Sequence, residues 1–311
     1  MKIKKRIIAL MLTLPMLFTV GCGNKTNENI DGKINIYTSI YPLYDFATKI
    51  GGDKVRVTNL VPAGTEPHDW EVATSDIVNL EKADMLIYNG AGIENWTDKV
   101  MDTLENKDIV YVKTSEGLDL LKSEEDCDDH GEENHDHGEY DPHTWLSIEN
   151  AEKEMENIKD ALVAYDPKNA DYYESNFETY ETKFEELKDE YTEKLGPIED
   201  KTIIVSHEAF GYLCNEYNIT QEGIDGLNPD TEPDPARMTE IIKFAKSHNI
   251  NTIFTEELSS DKVAKTIAKE IKGTTAVLNP LEGLTQTQID NGEDYFSVMK
   301  QNLEAIYKSL Q

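Results

Sequence analysis

The sequence predicts an α/β protein of two lobes, each a mostly parallel sheet flanked by helices, joined by one long rigid helix. Short β-branched segments alternate with amphipathic segments between residues 33 and 113, and the same alternation returns after residue 200. Strands that alternate with helices at this spacing are typical of parallel sheets covered on both faces. The 311 residues, of which 38% are hydrophobic, are enough for two cores of ordinary size.

The first 32 residues are predicted to lie outside the lobes. Residues 1–21 are predicted to be an export signal peptide, because the basic segment MKIKKR precedes an apolar stretch of about fourteen residues, too short for the ~20 that a membrane-spanning helix needs. Small residues before Cys22 resemble a bacterial lipobox, in which the cysteine is acylated, although Thr19 stands where leucine is usual. Residues 22–32 then form a flexible, lipidated tether to the outer face of the cytoplasmic membrane. The alternative is a signal peptide cut elsewhere, in which Cys22 has no role.

The N-terminal lobe is predicted over residues 33–165 and includes an acidic, histidine-bearing loop at 123–140. Gly51-Gly52 ends its first helix in the way that helix C-termini are commonly ended. Strands are expected at 33–39, 55–61, 85–88 and 109–113, and helices at 42–50, 74–82, 95–104 and 148–165.

Residues 166–197 are predicted to be the linking helix. Within this segment the helical pattern runs from Lys168 to Leu195: apolar residues recur every three or four positions from Tyr173 onward, and Gly196-Pro197 ends the pattern. At ~1.5 Å per residue, roughly 28 residues would extend about 42 Å, so the helix can run the height of both lobes. A coiled-coil dimer seam is the alternative, but few heptads and aromatic residues at the seam favour packing within a monomer. Such a stiff link permits a slight tilt of the lobes and not a wide hinge motion.

The C-terminal lobe is predicted over residues 198–311 and repeats the alternation of the first. Strands are expected at 202–206, 252–255 and 275–278, and helices at 209–217, 236–247, 261–271 and 295–309. Thirty basic and 61 acidic residues give a net charge of −31. That charge excludes nucleic acid and anionic lipid surfaces as partners and favours a cationic ligand.

Three histidines and one glutamate are the candidate metal ligands. His68, His207 and Glu282 each follow a predicted strand, where ligands gather in open α/β sheets, and His143 precedes a predicted helix. Three imidazoles and one carboxylate are a ligand set that suits Zn²⁺, with two ligands from each lobe. Taken alone, each histidine could instead be an exposed or hydrogen-bonded loop residue with no role in metal binding.

The sequence resembles the metal-binding cluster A-I family of ABC-transporter solute-binding lipoproteins, specifically its zinc branch. The matching segments are 66–71 (EPHDWE), 83–96, 141–146 (DPHTWL), 207–212 (HEAFGY), 254–256 (FTE) and 278–282 (LNPLE). This resemblance implies that His68, His143 and His207 supply imidazoles and that Glu282 occupies the fourth, carboxylate position. It also implies an extracytoplasmic receptor that delivers Zn²⁺ to an ABC permease and its ATPase, and not an enzyme. Manganese receptors of the family tend to carry a carboxylate where this chain has His207, so ligand softness favours zinc.

The acidic loop gains a second interpretation from the same resemblance, because zinc receptors commonly carry a histidine-rich loop at this place. His130, His135 and His137 are hypothesised to bind zinc weakly and to collect ions for the cleft. The alternative is a charged, solubilising insert. Cys127 lies in the same loop, and its pairing with Cys214 stays open from the sequence.

A manganese or broad divalent-metal receptor of the same family and a zinc-dependent surface adhesin remain alternatives. A secreted zinc hydrolase is a weaker one, because the chain has no H-E-x-x-H, G-x-S-x-G or P-loop motif. Glu256 is expected to form a salt bridge with Arg237 and only secondarily to be a reserve ligand. Trp70, Trp145 and Tyr41 are candidates for the walls of the site.

Overall fold

The computed structural model describes residues 32–123, 139–227 and 233–311, and it confirms an α/β fold built on two parallel four-stranded sheets. The predicted signal peptide, Cys22 and its tether lie outside the described residues, as do Cys127 and the loop histidines His130, His135 and His137. Within the described ranges, no helix combines the length and apolar character of a membrane span.

We call the first sheet and its helices the N-terminal lobe. Its elements are β1 (Ile34–Thr38), α1 (Tyr41–Gly51), β2 (Val55–Asn59), α2 (Thr74–Leu80), β3 (Met85–Tyr88), α3 (Thr97–Thr103) and β4 (Val110–Lys113). The strand order is β2-β1-β3-β4, and every neighbouring pair is parallel. Helix α1 ends at Gly51, and Gly52 has φ 51°, a positive φ that glycine adopts without strain, so the predicted stop is confirmed.

Two helices connect the sheets: α4 (Ile148–Tyr165) and the long α5 (Ala170–Leu195). Helix α5 has 26 residues and begins two positions later than predicted, because Pro167–Asn169 form a 3₁₀ turn first. Its apolar face packs on α1, α4 and α10 (Tyr295–Ser309) of the same chain. Tyr173, Phe184, Leu187, Tyr191 and Leu195 are all fully buried there. The seam therefore belongs to the protein's own core.

We call the second sheet, with its helices, the C-terminal lobe. Its strands are β5 (Thr202–His207), β6 (Thr220–Asp225), β7 (Thr252–Thr255) and β8 (Thr274–Val277). The strand order is β6-β5-β7-β8, again entirely parallel. Its helices are α6 (Gly211–Tyr217), α7 (Pro235–Ser247), α8 (Lys262–Ile271), α9 (Gln286–Asp290) and α10.

Two elements of this lobe are absent from the sequence-based prediction. Strand β6 is an edge strand that reads TQEGID, so it lacks the apolar run that marks the central strands. Helix α9 has only five residues, and a capping box between Thr285 and Gln288 defines its start. A hydrophobic repeat in the sequence does not predict either element, because neither has a full apolar face.

The described residues form three hydrophobic clusters, of which the largest runs behind both sheets and joins the lobes, while each of the other two lies within one lobe. Phe46 of α1 contacts Tyr295 of α10 with ring centroids 5.0 Å apart, and Phe184 of α5 contacts Phe296 at 4.8 Å. A buried ion cluster lies beside these rings, where Lys49 pairs with Asp45 and its Nζ lies 3.0 Å from Asp294 Oδ2. The lobes are therefore held together firmly on the side away from the strand ends.

Candidate metal centre

The four predicted ligands lie where the carboxyl ends of the two sheets face each other. His68 is in the loop after β2, His207 is the last residue of β5, and Glu282 follows β8. His143 directly precedes the 3₁₀ turn Thr144–Leu146 that leads into α4. The sequence-based placement of all four, three after strands and one before a helix, is reproduced.

The segment that carries Glu282 is held in a strained conformation. Leu281 has φ 58°, which is rare for a leucine, and its N–H donates to Asn279 Oδ1 at 2.7 Å. Asn302 of α10 fixes Asn279 in turn, accepting from its backbone N–H at 2.9 Å and donating to its carbonyl at 2.7 Å. Helix α10 therefore holds the backbone of the loop that carries Glu282.

One atom from each of the four side chains converges on a common point. The Nε2 atom of His143 lies 3.3 Å from His68 Nε2, 3.2 Å from His207 Nε2 and 3.0 Å from Glu282 Oε1. The same Oε1 lies 3.5 Å from His68 Nε2 and 3.6 Å from His207 Nε2. The ligand atoms of all four residues lie within 4.8 Å of one another.

These separations match a tetrahedral zinc site. Zn²⁺ binds imidazole nitrogen at about 2.0–2.1 Å, so a tetrahedron of such ligands has edges of about 3.3–3.4 Å. The five distances above run from 3.0 to 3.6 Å and scatter around that value. Both oxygens of Glu282 are buried, and Oε1 faces the Nε2 atoms of the three histidines, so a cation held among these atoms would offset the cost of burying the carboxylate. The residues present therefore fit a tetrahedral dication.

Two further carboxylates orient the imidazoles. Asp141 Oδ1 accepts hydrogen bonds from both the backbone N–H (2.9 Å) and Nδ1 (2.8 Å) of His143. Glu256 Oε1 accepts from His207 Nδ1 at 2.6 Å. A proton on Nδ1 leaves the Nε2 lone pair free for a metal, so each carboxylate selects the binding tautomer of its histidine.

The expected salt bridge between Glu256 and Arg237 is wrong. The guanidinium of Arg237 instead lies 3.0 Å from Glu222 Oε1, whereas Glu256 is buried against His207. His207 ends β5 and Glu256 directly follows β7, the neighbouring strand, so the two side chains meet at the same buried edge of the sheet. The Asp141 contact was also missed, although the spacing Asp-Pro-His places the carboxylate within reach of the histidine ring two residues later.

Burial and charge act in opposite directions on the ligands. Burial alone would raise the pKa of Glu282, but the three histidines around it hold that pKa well below its ordinary value. For His143 the signs are reversed: burial lowers its pKa, but the hydrogen bonds and negative charges of Asp141 and Glu282 outweigh burial and raise that pKa to about 10. In the metal-free protein the cluster therefore holds protons that a metal ion must displace.

A small recess opens beside Glu282. Burial, and next the negative charge of Glu282, raise the pKa of Glu66 to about 10, so this carboxyl carries a proton at neutral pH. Sequence reasoning gave Glu66 no role, and no local signal sets it apart from the other loop acids. The recess is lined by Glu66, Glu256, Glu257, Leu258, Asn279, Pro280, Glu282 and Gly283.

The remaining candidates divide between the site and the core. The Trp145 ring lies against His143, with centroids 5.5 Å apart, and the backbone N–H of Tyr41 donates to the Glu282 carbonyl at 3.5 Å. Trp70 instead packs on Trp96, 5.7 Å between centroids. Cys214 is buried, and burial raises the pKa of its thiol above the ordinary range, as expected for a packing residue. Its possible partner Cys127 lies outside the described residues.

Known proteins resemble this chain over most of its length. The chain is 40% identical over 305 residues to the zinc-binding lipoprotein AdcA of Streptococcus pneumoniae, covering 97% of this chain and 60% of that protein. It is 41% identical over 300 residues to the high-affinity zinc uptake system protein ZnuA of Bacillus subtilis, covering 94% of each. The chain thus spans about 60% of the length of one relative and nearly all of the other.

Solved structures share the fold. The crystal structure of the Zn(II)-bound ZnuA-like domain of S. pneumoniae AdcA superposes with a TM-score of 0.77 at 37% identity, covering 90% of this chain and 99% of that domain. The laminin-binding protein Lmb of Streptococcus agalactiae, described as having adhesin and metal-transporting activity, gives 0.79 at 29% identity, covering 90% and 100%. Residues 36–309 match the family model described as zinc-uptake complex component A, periplasmic. The chain therefore belongs to this family of zinc-uptake components, the ZnuA family.

Proposed function

We propose that this protein is an extracytoplasmic receptor that captures Zn²⁺ in the cleft between its lobes and delivers it to an ABC permease for import. The observation that carries the proposal is the tetrahedron of ligand atoms from His68, His143, His207 and Glu282, five of whose six edges measure 3.0–3.6 Å. The zinc-bound relative and the zinc-uptake relative support it.

The ligand set explains why the site holds the ion and does not use it. Four protein ligands complete the coordination of a structural or transported zinc ion, whereas catalytic zinc keeps an open position for water. Three of the four ligands are imidazoles, which suit Zn²⁺ better than Mn²⁺, a cation that favours oxygen ligands. A zinc receptor is thus favoured over both a hydrolase and a manganese receptor.

The charge around the ion suits reversible capture. A dication with the Glu282 carboxylate would leave one positive charge, and the outer carboxylates of Asp141 and Glu256 bring the buried group to one net negative charge. Protonation of the imidazoles would release the ion, because a protonated imidazole cannot coordinate. The overall charge of −31 attracts cations in general but is screened at physiological salt and does not select zinc.

Delivery defines the partners and the location. The receptor would hand the ion to a permease driven by its ATPase, as a monomer held to the outer face of the cytoplasmic membrane through an acylated Cys22. Residues 1–21 would be the signal peptide and 22–32 the tether. The two lobes, 33–165 and 198–311, would bind the ion from opposite sides, joined by 166–197. His130, His135 and His137 would bind zinc weakly in the acidic loop.

Metal binding is tested with one ligand variant and one histidine control. Purified protein without its first 32 residues is titrated with Zn²⁺ by calorimetry in parallel with His207→Ala and His248→Ala. His248 is exposed at the end of α7 and contacts only Phe244 and Ser247 among the described residues, so it is a matched histidine outside the site. We expect a tight site in the protein and in His248→Ala, and its loss in His207→Ala. Equal tight binding by all three proteins would refute the site.

Transport is tested in bacterial cells that lack their own zinc receptor but retain the permease and the ATPase. Expression of the full chain is expected to restore growth at scarce zinc, and His207→Ala is expected to fail. The Cys22→Ala variant separates capture from anchoring, since the released protein should bind zinc in the medium without restoring uptake. Restoration by His207→Ala would contradict the proposal.

A further inference from the structure

The loops that carry His143 and Glu282 are joined directly across the cleft by Trp145. This tryptophan lies two residues after His143, and its side chain is completely buried. Its indole Nε1–H donates to the carbonyl of Pro280 at 2.8 Å, and Pro280 lies two residues before Glu282. One buried hydrogen bond therefore connects a ligand loop of the N-terminal lobe to a ligand loop of the C-terminal lobe.

A second hydrogen bond holds the same tryptophan from α10. The hydroxyl of Tyr295 donates to the backbone carbonyl of Trp145 at 2.8 Å, and both residues are fully buried. The backbone N–H of Tyr295 donates in turn to Asp45 Oδ2 of α1 at 3.1 Å. Trp145 is thus fixed at its indole nitrogen and at its backbone, while its ring lies against the imidazole of His143.

The Trp145 hydrogen bonds affect the shortest distance between ligand atoms in the metal site. His143 Nε2 and Glu282 Oε1 are 3.0 Å apart, closer than any other pair of ligand atoms that meet at Glu282. An ion larger than Zn²⁺ needs longer bonds to the same four ligands. Lengthening the four bonds by about 0.2 Å would lengthen every edge of the tetrahedron by about 0.3 Å, beyond the edges of about 3.3–3.4 Å expected for zinc. The two loops would then have to separate, and the Trp145–Pro280 hydrogen bond opposes that movement.

We propose that Trp145 is a positioning residue for metal selection: its hydrogen bonds to Pro280 and Tyr295 hold the His143 and Glu282 loops at the spacing that Zn²⁺ requires and that larger dications do not fit. The inference rests on the proposed function and adds to it the residue that sets the size of the site. Trp145 touches no metal ion; it acts through the two ligand loops. Removing its hydrogen bonds should weaken Zn²⁺ binding while leaving the binding of a larger ion with the same ligand preference, Cd²⁺, unchanged or stronger.

Two variants isolate the two hydrogen bonds. Trp145→Phe keeps an aromatic ring beside His143 but has no N–H for Pro280. Tyr295→Phe removes only the hydroxyl that contacts the Trp145 carbonyl. The matched control is Tyr191→Phe, because Tyr191 is equally buried and its hydroxyl donates to the Met299 carbonyl at 2.7 Å, away from the ligand loops. Each tyrosine variant loses one buried hydrogen bond of the same kind, so general destabilisation is the same in both.

The readout is the ratio of the dissociation constants for Cd²⁺ and Zn²⁺, measured by chelator competition on the purified proteins. We expect the ratio to fall about ten-fold in Trp145→Phe and several-fold in Tyr295→Phe, the size of one buried hydrogen bond, with no change in Tyr191→Phe. The visible spectrum of the Co²⁺-loaded protein reports the geometry independently, and its tetrahedral bands should weaken in the first two variants only.

Two outcomes would overturn the inference. An unchanged ratio in both Trp145→Phe and Tyr295→Phe, with the parent protein binding Zn²⁺ tightly, refutes the positioning role and leaves the receptor function intact. An equal shift in Tyr191→Phe assigns the effect to general destabilisation and also refutes it. Failure of the parent protein to bind Zn²⁺ would instead remove the proposed function on which the inference rests. Should Trp145→Phe not fold, the Tyr295→Phe and Tyr191→Phe pair decides the question alone.

Discussion

Glu154 of α4 is a buried carboxyl without a partner, and its replacement should stabilise the protein in a pH-dependent way. The side chain is completely buried, and neither carboxyl oxygen has a hydrogen-bond partner. Burial raises the pKa of Glu154 from its ordinary value of 4.5 to about 8; the neighbouring Thr144 hydroxyl opposes the rise, and the negative charge of the buried Glu94 adds to it. The folded protein thus keeps a proton on Glu154 at neutral pH that the unfolded chain releases.

The size of the effect follows from that difference in pKa. Below pH 4.5 both states are protonated, and the carboxyl costs nothing through its charge. As the pH rises from 4.5 toward 8, only the unfolded state ionises, so stability is lost at about 1.36 kcal/mol per pH unit. At pH 7 the loss amounts to roughly 3 kcal/mol, and it levels off at roughly 5 kcal/mol above pH 8. Glutamine has the same shape and no charge, so Glu154→Gln should recover that stability.

The assay is urea unfolding of the metal-free protein at pH 5, 7 and 8.5, with a chelator present because bound zinc would add its own stabilisation. The control is Glu174→Gln, an exposed glutamate on α5 whose replacement should alter the free energy of unfolding by at most about 0.5 kcal/mol at every pH. We expect Glu154→Gln to match the parent near pH 5 and to exceed it increasingly toward pH 8.5. A gain that is the same at all three pH values, or a loss at pH 8.5, would refute the reasoning.

Three further predictions concern the site and the contact between the lobes. Glu256→Gln should raise the dissociation constant for Zn²⁺, measured by calorimetry, about 10–100-fold, because it removes the negative charge that contacts His207 Nδ1. The control Glu222→Gln should leave that constant unchanged, and equal constants in the two variants would show that Glu256 does not act on the site. Zinc affinity should fall about ten-fold per pH unit from pH 9 to pH 7, because Zn²⁺ displaces a proton from His143, whose pKa is raised to about 10; a flat profile would contradict this. Lys49→Met should lower the free energy of unfolding, measured with urea, by about 3–5 kcal/mol, because it leaves the buried Asp45 carboxylate without its cation. Adding Asp45→Asn should restore part of that loss, and additive losses in the double variant would contradict the pairing.

Much of the secondary structure can be predicted from local sequence patterns. Helix and strand periods repeat within about four residues, so central strands such as β1 and β5 and the long helix α5 are visible without tertiary contacts. The short helix α9 and the edge strand β6 were missed because each is defined by neighbours in space and not by an apolar repeat. Helix α5 began later than predicted because a proline-initiated 3₁₀ turn interrupts the pattern.

The candidate ligands could be predicted because side-chain chemistry and position after a strand are both readable along the chain, and His68, His143, His207 and Glu282 do converge. Their partners could not be predicted in this way. The contact of His207 with Glu256 joins residues 49 positions apart, and the bond from Trp145 to Pro280 joins residues 135 positions apart. The sequence by itself determined which atoms can bind a metal ion. Only the tertiary structure decided how far apart these atoms stand and which carboxylates orient them, because distances between remote segments depend on how the two lobes pack and not on any local pattern.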